Sequence, residues 1–168
     1  MEPLNLGFAV LSILAGLVFA AAFQQDLARR RIPNALPAAL LVIGAIKWLL
    51  IGRLADVGWA LAAAGIVLGI TAFMFWRGWM GGGDVKLLTA SSFMLGSQDT
   101  PPFIVLTSFI GGVVAIVVLI HSLLVRRAVP DKGGADENVA PAAKATVPYG
   151  VAISLAAVWF LFKQWTLR

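Results

Sequence analysis

The sequence predicts an all-α fold: a polytopic membrane bundle of about six transmembrane helices with its N-terminus outside. Three observations carry this. Hydrophobic residues make up 60% of the 168-residue chain and charged residues only 12%, with a mean hydropathy of +0.91, a balance that excludes an ordinary soluble domain. The apolar residues fall into recurring runs, most of them near the roughly 20 residues that cross a bilayer. The basic residues gather in alternate connections between those runs, which is how topology is written in membrane proteins. No segment is long and polar enough to fold apart, so residues 1–168 are expected to form a single membrane-embedded domain.

The first apolar run is Leu4–Phe23. Met1-Glu2-Pro3 lacks a basic leader, and Arg29-Arg30-Arg31 follows the run instead, so this helix is expected to stay uncleaved with the arginines held inside. Pro33-Asn34 then punctuates the connection to Ala35–Ile51, and Val57–Trp76 forms the third run. The fourth, Val85–Leu95, is short. At about 1.5 Å per residue it spans only if extended past Gly96 or buried among its neighbours, and Thr89, Ser91 and Ser92 suit a helix facing protein. Pro101-Pro102 precede the fifth run, Phe103–Val125, and Pro148 stands near the start of the sixth, Val147–Phe162, as proline commonly does in a first helical turn. Residues 126–146, rich in Pro, Gly and Ala, are expected to form a flexible cytoplasmic loop. Trp48, Trp59, Trp76 and Trp79 lie near run ends, where interfacial anchoring is the expected role.

With six crossings, Arg29, Arg30, Arg31, Arg77, Lys86, Arg126, Arg127, Lys132 and Lys144 fall on the cytoplasmic side, and only Lys47, Arg53, Lys163 and Arg168 of the 13 basic residues fall outside. The formal charge of +5 therefore reports topology, and a nucleic-acid partner is not expected. The chain contains no cysteine, which excludes disulfides, zinc ribbons and thiol nucleophiles. The single histidine, His121, sits in the fifth run without neighbours for a metal site, so neither a metal nor another cofactor is expected.

Chemistry is therefore sought among eight acids. Glu2, Asp56 and Asp99 fall on the outer side, and Asp131, Asp136 and Glu137 belong to the polar loop. Asp26, at the inner end of the first run, and Asp84, at the inner start of the fourth, remain. Two crossings separate them, an even number, so both face the cytoplasm. Asp84 follows Gly81-Gly82-Gly83, a run that opens a helix, since each glycine costs about 1 kcal/mol against alanine in a helix interior. An acid within a membrane segment is itself expensive and calls for a function. Paired carboxylates share a proton, one acting as base on water and the other polarising a carbonyl, which is aspartic-protease chemistry. The glycines would let an extended peptide approach closely, and Lys86 would bias the local potential or snorkel to the interface. Taken singly, Asp26 also fits a helix-end charge paired with Arg29 or Arg30, and Asp84 fits an N-cap. Serine-protease chemistry is not supported, since the one imidazole lies in another run.

Gly81-Gly82-Gly83-Asp84-Val85-Lys86-Leu87-Leu88 resembles the G-x-G-D motif of the type IV prepilin peptidases, membrane aspartic proteases. Asp26 with Arg30-Arg31-Ile32-Pro33-Asn34 resembles that family's first aspartate and its I-P-N element, and Val147-Pro148-Tyr149-Gly150-Val151-Ala152 is similar to its late P-Y-G segment. The resemblance implies an Asp26/Asp84 catalytic dyad at the cytoplasmic membrane boundary, with Gly81, Gly82, Gly83 and Lys86 as its substrate-facing loop. It implies a prepilin substrate, cut between a short basic leader and a hydrophobic segment, with the pilus-assembly machinery as a further partner. Longer members carry a cysteine-bearing cytoplasmic region and also methylate the new N-terminus. No room exists for such a region between Asp26 and Ile32, so a peptidase without methyltransferase activity is expected, resembling the short form of tight-adherence (Flp-type) pili; archaeal preflagellin peptidases are similar. From a different class, a small transporter or channel would use the two acids as a cation or proton site. Such sites lie near the bilayer midplane, whereas both acids here lie at one boundary.

Overall fold

The computed structural model describes residues 3–128 and 148–166. Six helices follow one another: α1 (Pro3–Arg29), α2 (Ala35–Ile51), α3 (Leu54–Trp76), α4 (Gly82–Leu95), α5 (Thr100–Ala128) and α6 (Tyr149–Thr166). The fold is all-α, as the composition predicts. Leu6–Arg29, Leu54–Trp76 and Thr100–Leu124 are each long and apolar enough to cross a membrane, which marks a multi-pass membrane protein. Their outer faces carry large apolar side chains, with Leu17, Ile66 and Phe109 63%, 65% and 72% exposed. A surface of that kind requires a lipid solvent.

Several boundaries differ from the apolar runs by two to six residues, and two of them bear on the site and the expected loop. Helix α1 runs six residues past Phe23, so Asp26 lies inside its last turn rather than beyond its end. Polar Gln24 and Gln25 ended the apolar run without ending the helix, because glutamine is a good helix former. The helix stops at Arg30, whose φ is +50° and whose N–H closes onto the Asp26 carbonyl at 3.0 Å. Helix α5 continues to Ala128, so the first three residues of the expected loop are helical. The remainder of that loop lies outside the described residues.

Helix α4 is the inner element. It packs on α3, α2 and α6 and more lightly on α5, while α1 closes against α6 and α2. Leu87, Ser91 and Ser92 are fully enclosed, and both serines return their hydroxyls to the Leu87 and Leu88 carbonyls at 2.7 and 2.9 Å. Burial by its neighbours is thus how so short a helix is accommodated.

A helix end leaves its last four carbonyls without intrahelical partners. Here each one is met. The Ser92 carbonyl accepts Gly96 N–H at 3.0 Å and the Thr100 hydroxyl at 3.2 Å. The Phe93 carbonyl accepts Trp48 Nε1 at 2.9 Å, Met94 accepts Lys47 Nζ at 2.8 Å, and Leu95 accepts Gln164 Nε2 at 3.1 Å. Lys47 also places a positive charge at the negative end of the helix dipole. Trp48 is therefore a buried donor to α4 rather than an interfacial anchor, whereas Trp59, Trp76 and Trp79 are exposed. Asp99 joins the same far end, accepting from Gln164 at 2.6 Å and pairing with Lys163 at 3.4 Å.

Candidate active site

The opposite end of the bundle gathers Asp26, Asp84 and the three sequence blocks around them. Asp26 leaves the last turn of α1 and is 6% exposed. Its Oδ2 accepts the Val151 N–H at 3.1 Å, and the Gly150 N–H also reaches it. These are first-turn amides of α6, so the carboxylate sits on a helix N-terminus, where free N–H groups and the helix dipole favour negative charge. No close salt bridge joins Asp26 to Arg29 or Arg30 among the described residues, although the Arg30 charge still bears on it; its hydrogen bond goes instead to a residue 125 positions away.

Gly150 permits this approach. A Cβ built there would stand 2.7 Å from Ile32 Cδ1 and 2.9 Å from Asp26 Cγ and Oδ2. Pro148 sets the first turn of α6 and Gly150 lets its backbone rest against the acid, so the P-Y-G block has a physical reason. Tyr149 packs its ring on Gly111 of α5.

Asp84 is not the N-cap of α4. Gly81 holds that place with extended backbone, φ −75° and ψ 144°, and Asp84 is the third helical residue. From there its carboxyl turns back to the Gly81 amide, as the third residue of a capping box does. The glycine run therefore breaks the chain only at its first member, and Gly82 and Gly83 are already helical. All three missing Cβ atoms make room for protein. A Cβ would stand 2.9 Å from Asp84 Oδ2 at Gly81, 3.3 Å from the Phe75 ring at Gly82 and 3.1 Å from Ile32 Cβ at Gly83.

Ile32 thus touches Gly83 beside Asp84 and Gly150 beside Asp26, bridging the supports of the two acids. Asp26 and Asp84 are thereby brought to one end of the bundle, with Ile32 between their supports. Asn34, the N-cap of α2, makes no side-chain cap; its Oδ1 accepts Lys86 Nζ at 2.8 Å. Lys86 accordingly ties the glycine–aspartate block to the Ile32-Pro33-Asn34 element instead of extending freely to the interface. His121 is exposed on α5, and no group of three metal-ligating side chains occurs among the described residues.

The sequence reading singled out the acids, the glycines and Lys86. It left the α6 amides of Gly150 and Val151 and the Ile32 wedge without a role. The available signal was a glycine directly behind Pro148-Tyr149 at a helix start, which marks close backbone approach.

The family model of the type IV leader peptidases matches residues 8–116, a stretch that holds both acids. Comparison with curated proteins and with solved structures gives no match. Since the matched stretch covers well over half of the chain and the structure brings its two acids to one site, this protein belongs to the type IV leader peptidase family and is an aspartic prepilin peptidase.

Proposed function

We propose that Asp26 and Asp84 are the catalytic dyad of this peptidase and that they activate water against the peptide bond between a prepilin leader and its apolar segment. The observation that carries the reading is the shared site of two acids, each held at a helix N-terminus, at one end of a membrane bundle. In the proposed reaction one carboxyl holds the pair's proton and hydrogen-bonds the scissile carbonyl oxygen. The ionised carboxyl takes a proton from water as the water oxygen attacks the carbonyl carbon. Collapse of the tetrahedral intermediate passes a proton to the leaving nitrogen and breaks the C–N bond, giving a leader carboxylate and a new amine. The amides of Gly150 and Val151 hold the Asp26 carboxyl in place, the latter through Oδ2.

Gly81, Gly82, Gly83 and Lys86, the N-cap and opening of α4 rather than the expected loop, face the substrate in this reading, with Lys86 and Asn34 holding them to the Asp26 side. The domain spans residues 1–168 and crosses the cytoplasmic membrane six times, N-terminus outside, with the dyad on the cytoplasmic face; the arginines at 29–31 beside the site support that orientation. Methyl transfer is not part of the activity, and Flp-type prepilins are the proposed substrates. Mass spectrometry of prepilin N-termini tests the reading. Coexpression with the wild type should yield the shortened form, and Asp26→Asn or Asp84→Asn should leave the leader in place while remaining in the membrane. Processing retained by either variant refutes the dyad.

A further inference from the structure

Beside the dyad, between α3 and α5, lies a cavity of about 340 Å³. Helix α3 leans on α4 and α5 leans on α6, so a gap remains over the face of α4. Met80 and Tyr149, next to the glycine run and to Gly150, line its near end, and Val67 and Ile104 line its far end. Leu88 and Ile153, one turn in from Asp84 and Gly150, form the floor. The rim is open to the lipid side, where Ile70 and Ser108 are exposed. Along α5 the wall runs from Ile104 to Gly112, about 12 Å, or two helical turns.

One polar group stands out in this apolar wall. Thr71 and Ser108 turn their hydroxyls back to the carbonyl four residues earlier at 2.7 and 2.8 Å, as helical serine and threonine do in apolar surroundings. Thr107, which lines the cavity and is 7% exposed, does not. Its Oγ1 is buried without a hydrogen-bond partner among the described residues. A buried hydroxyl left unpaired is costly and points to a missing partner.

We propose that this cavity receives the apolar helical segment of the prepilin, continuing from the cleavage point at the dyad, and that Thr107 hydrogen-bonds a polar group of that segment. The inference rests on the peptidase reading and deepens it. The cavity starts at Met80 and Tyr149, chain neighbours of Gly81 and Gly150, and runs along α5 away from them, so a substrate held at the dyad can continue into it. A lipid acyl chain also fits an apolar groove, but it offers Thr107 nothing to bond, whereas a peptide carries carbonyls and polar side chains. A comparable apolar groove of about 360 Å³ lies between α1 and α6; its lining, from Ala9 and Ile13 to Leu161 and Trp165, belongs to the end away from the dyad.

The absence of cysteine makes the test direct. In an Asp84→Asn background, Ile70→Cys or Ser108→Cys should form disulfides with a cysteine placed in the first two turns of the prepilin segment after the cleavage point, and Ile13→Cys or Val158→Cys should not. With the active enzyme, Thr107→Val should raise KM for full prepilin roughly three- to tenfold, the worth of one hydrogen bond. It should leave kcat and thermal stability intact and cleave a peptide truncated just after the cleavage point as the wild type does. Asp84-dependent cleavage with equal crosslinking at both grooves, or with no crosslink from Ile70→Cys or Ser108→Cys, overturns the groove and leaves the dyad standing. An unchanged KM in Thr107→Val overturns the role of Thr107. Cleavage that survives Asp84→Asn overturns the dyad from which the groove is traced, and the groove with it.

Discussion

Gly150→Ala isolates the contact on which Asp26 depends. The added methyl would meet Asp26 Cγ and Oδ2 at 2.9 Å and Ile32 Cδ1 at 2.7 Å, against 3.4 Å or more for an ordinary contact. Ile32 can swing its terminal carbon aside, but Asp26 is buried, so its carboxyl must withdraw by about 0.5 Å from α6. The Val151 N–H to Oδ2 bond, 3.1 Å in the native protein, then falls outside hydrogen-bonding range. A bond to a charged group contributes about 1.5–3 kcal/mol, which corresponds to roughly 10- to 150-fold if it is lost in the transition state. Misplacing a reacting group by about 1 Å has an effect of similar size. The expected outcome is a loss of kcat between these limits in a prepilin cleavage assay, with the protein still in the membrane. Gly65→Ala is the control, because a Cβ there meets nothing within 4 Å. Alanine is intrinsically the better helix residue by about 0.5–1 kcal/mol, so a Gly150→Ala enzyme that is fully active and more stable would refute the reasoning.

Two further outcomes follow from the same contacts. Gln164→Leu leaves the Leu95 carbonyl without its side-chain donor and removes the 2.6 Å bond to Asp99, so the unfolding free energy in detergent should fall by about 1–3 kcal/mol, and an unchanged value would mean that the end of α4 is solvated. Lys86→Met and Asn34→Ala remove the two sides of one exposed bond, whose worth is at most about 1 kcal/mol; each should slow cleavage a few-fold, the double variant should be no slower than the worse single one, and fully multiplicative effects would show that the two act separately.

Much of the molecule was readable from residue types alone. The helices follow the apolar runs because a bilayer admits few other spanning structures, and α2 coincides with its run, Ala35–Ile51. Errors arose where polarity and helicity part company. Gln24, Gln25, Asp26 and Arg29 are polar yet helical, and Gly82 and Gly83 are poor helix formers that nevertheless open α4. Trp48 looked like an anchor because its position near a run end is visible in sequence, while the carbonyl it serves, 45 residues away, is not.

What the sequence by itself determined is the class of the protein. The hydrophobic content compels a membrane bundle, and the proposed pair, Asp26 and Asp84, comes from elimination among eight acids on the expected topology. Only the tertiary structure decided how those acids are held. Asp26 rests on amides of α6, Asp84 folds back on Gly81, and Ile32 wedges between Gly83 and Gly150. The structure also left Thr107 facing a cavity with its hydroxyl unpaired. The physical reason is range. Hydrophobic periodicity and charge are properties of neighbouring residues, whereas a backbone amide becomes a carboxylate's partner only when packing brings a distant helix end to it.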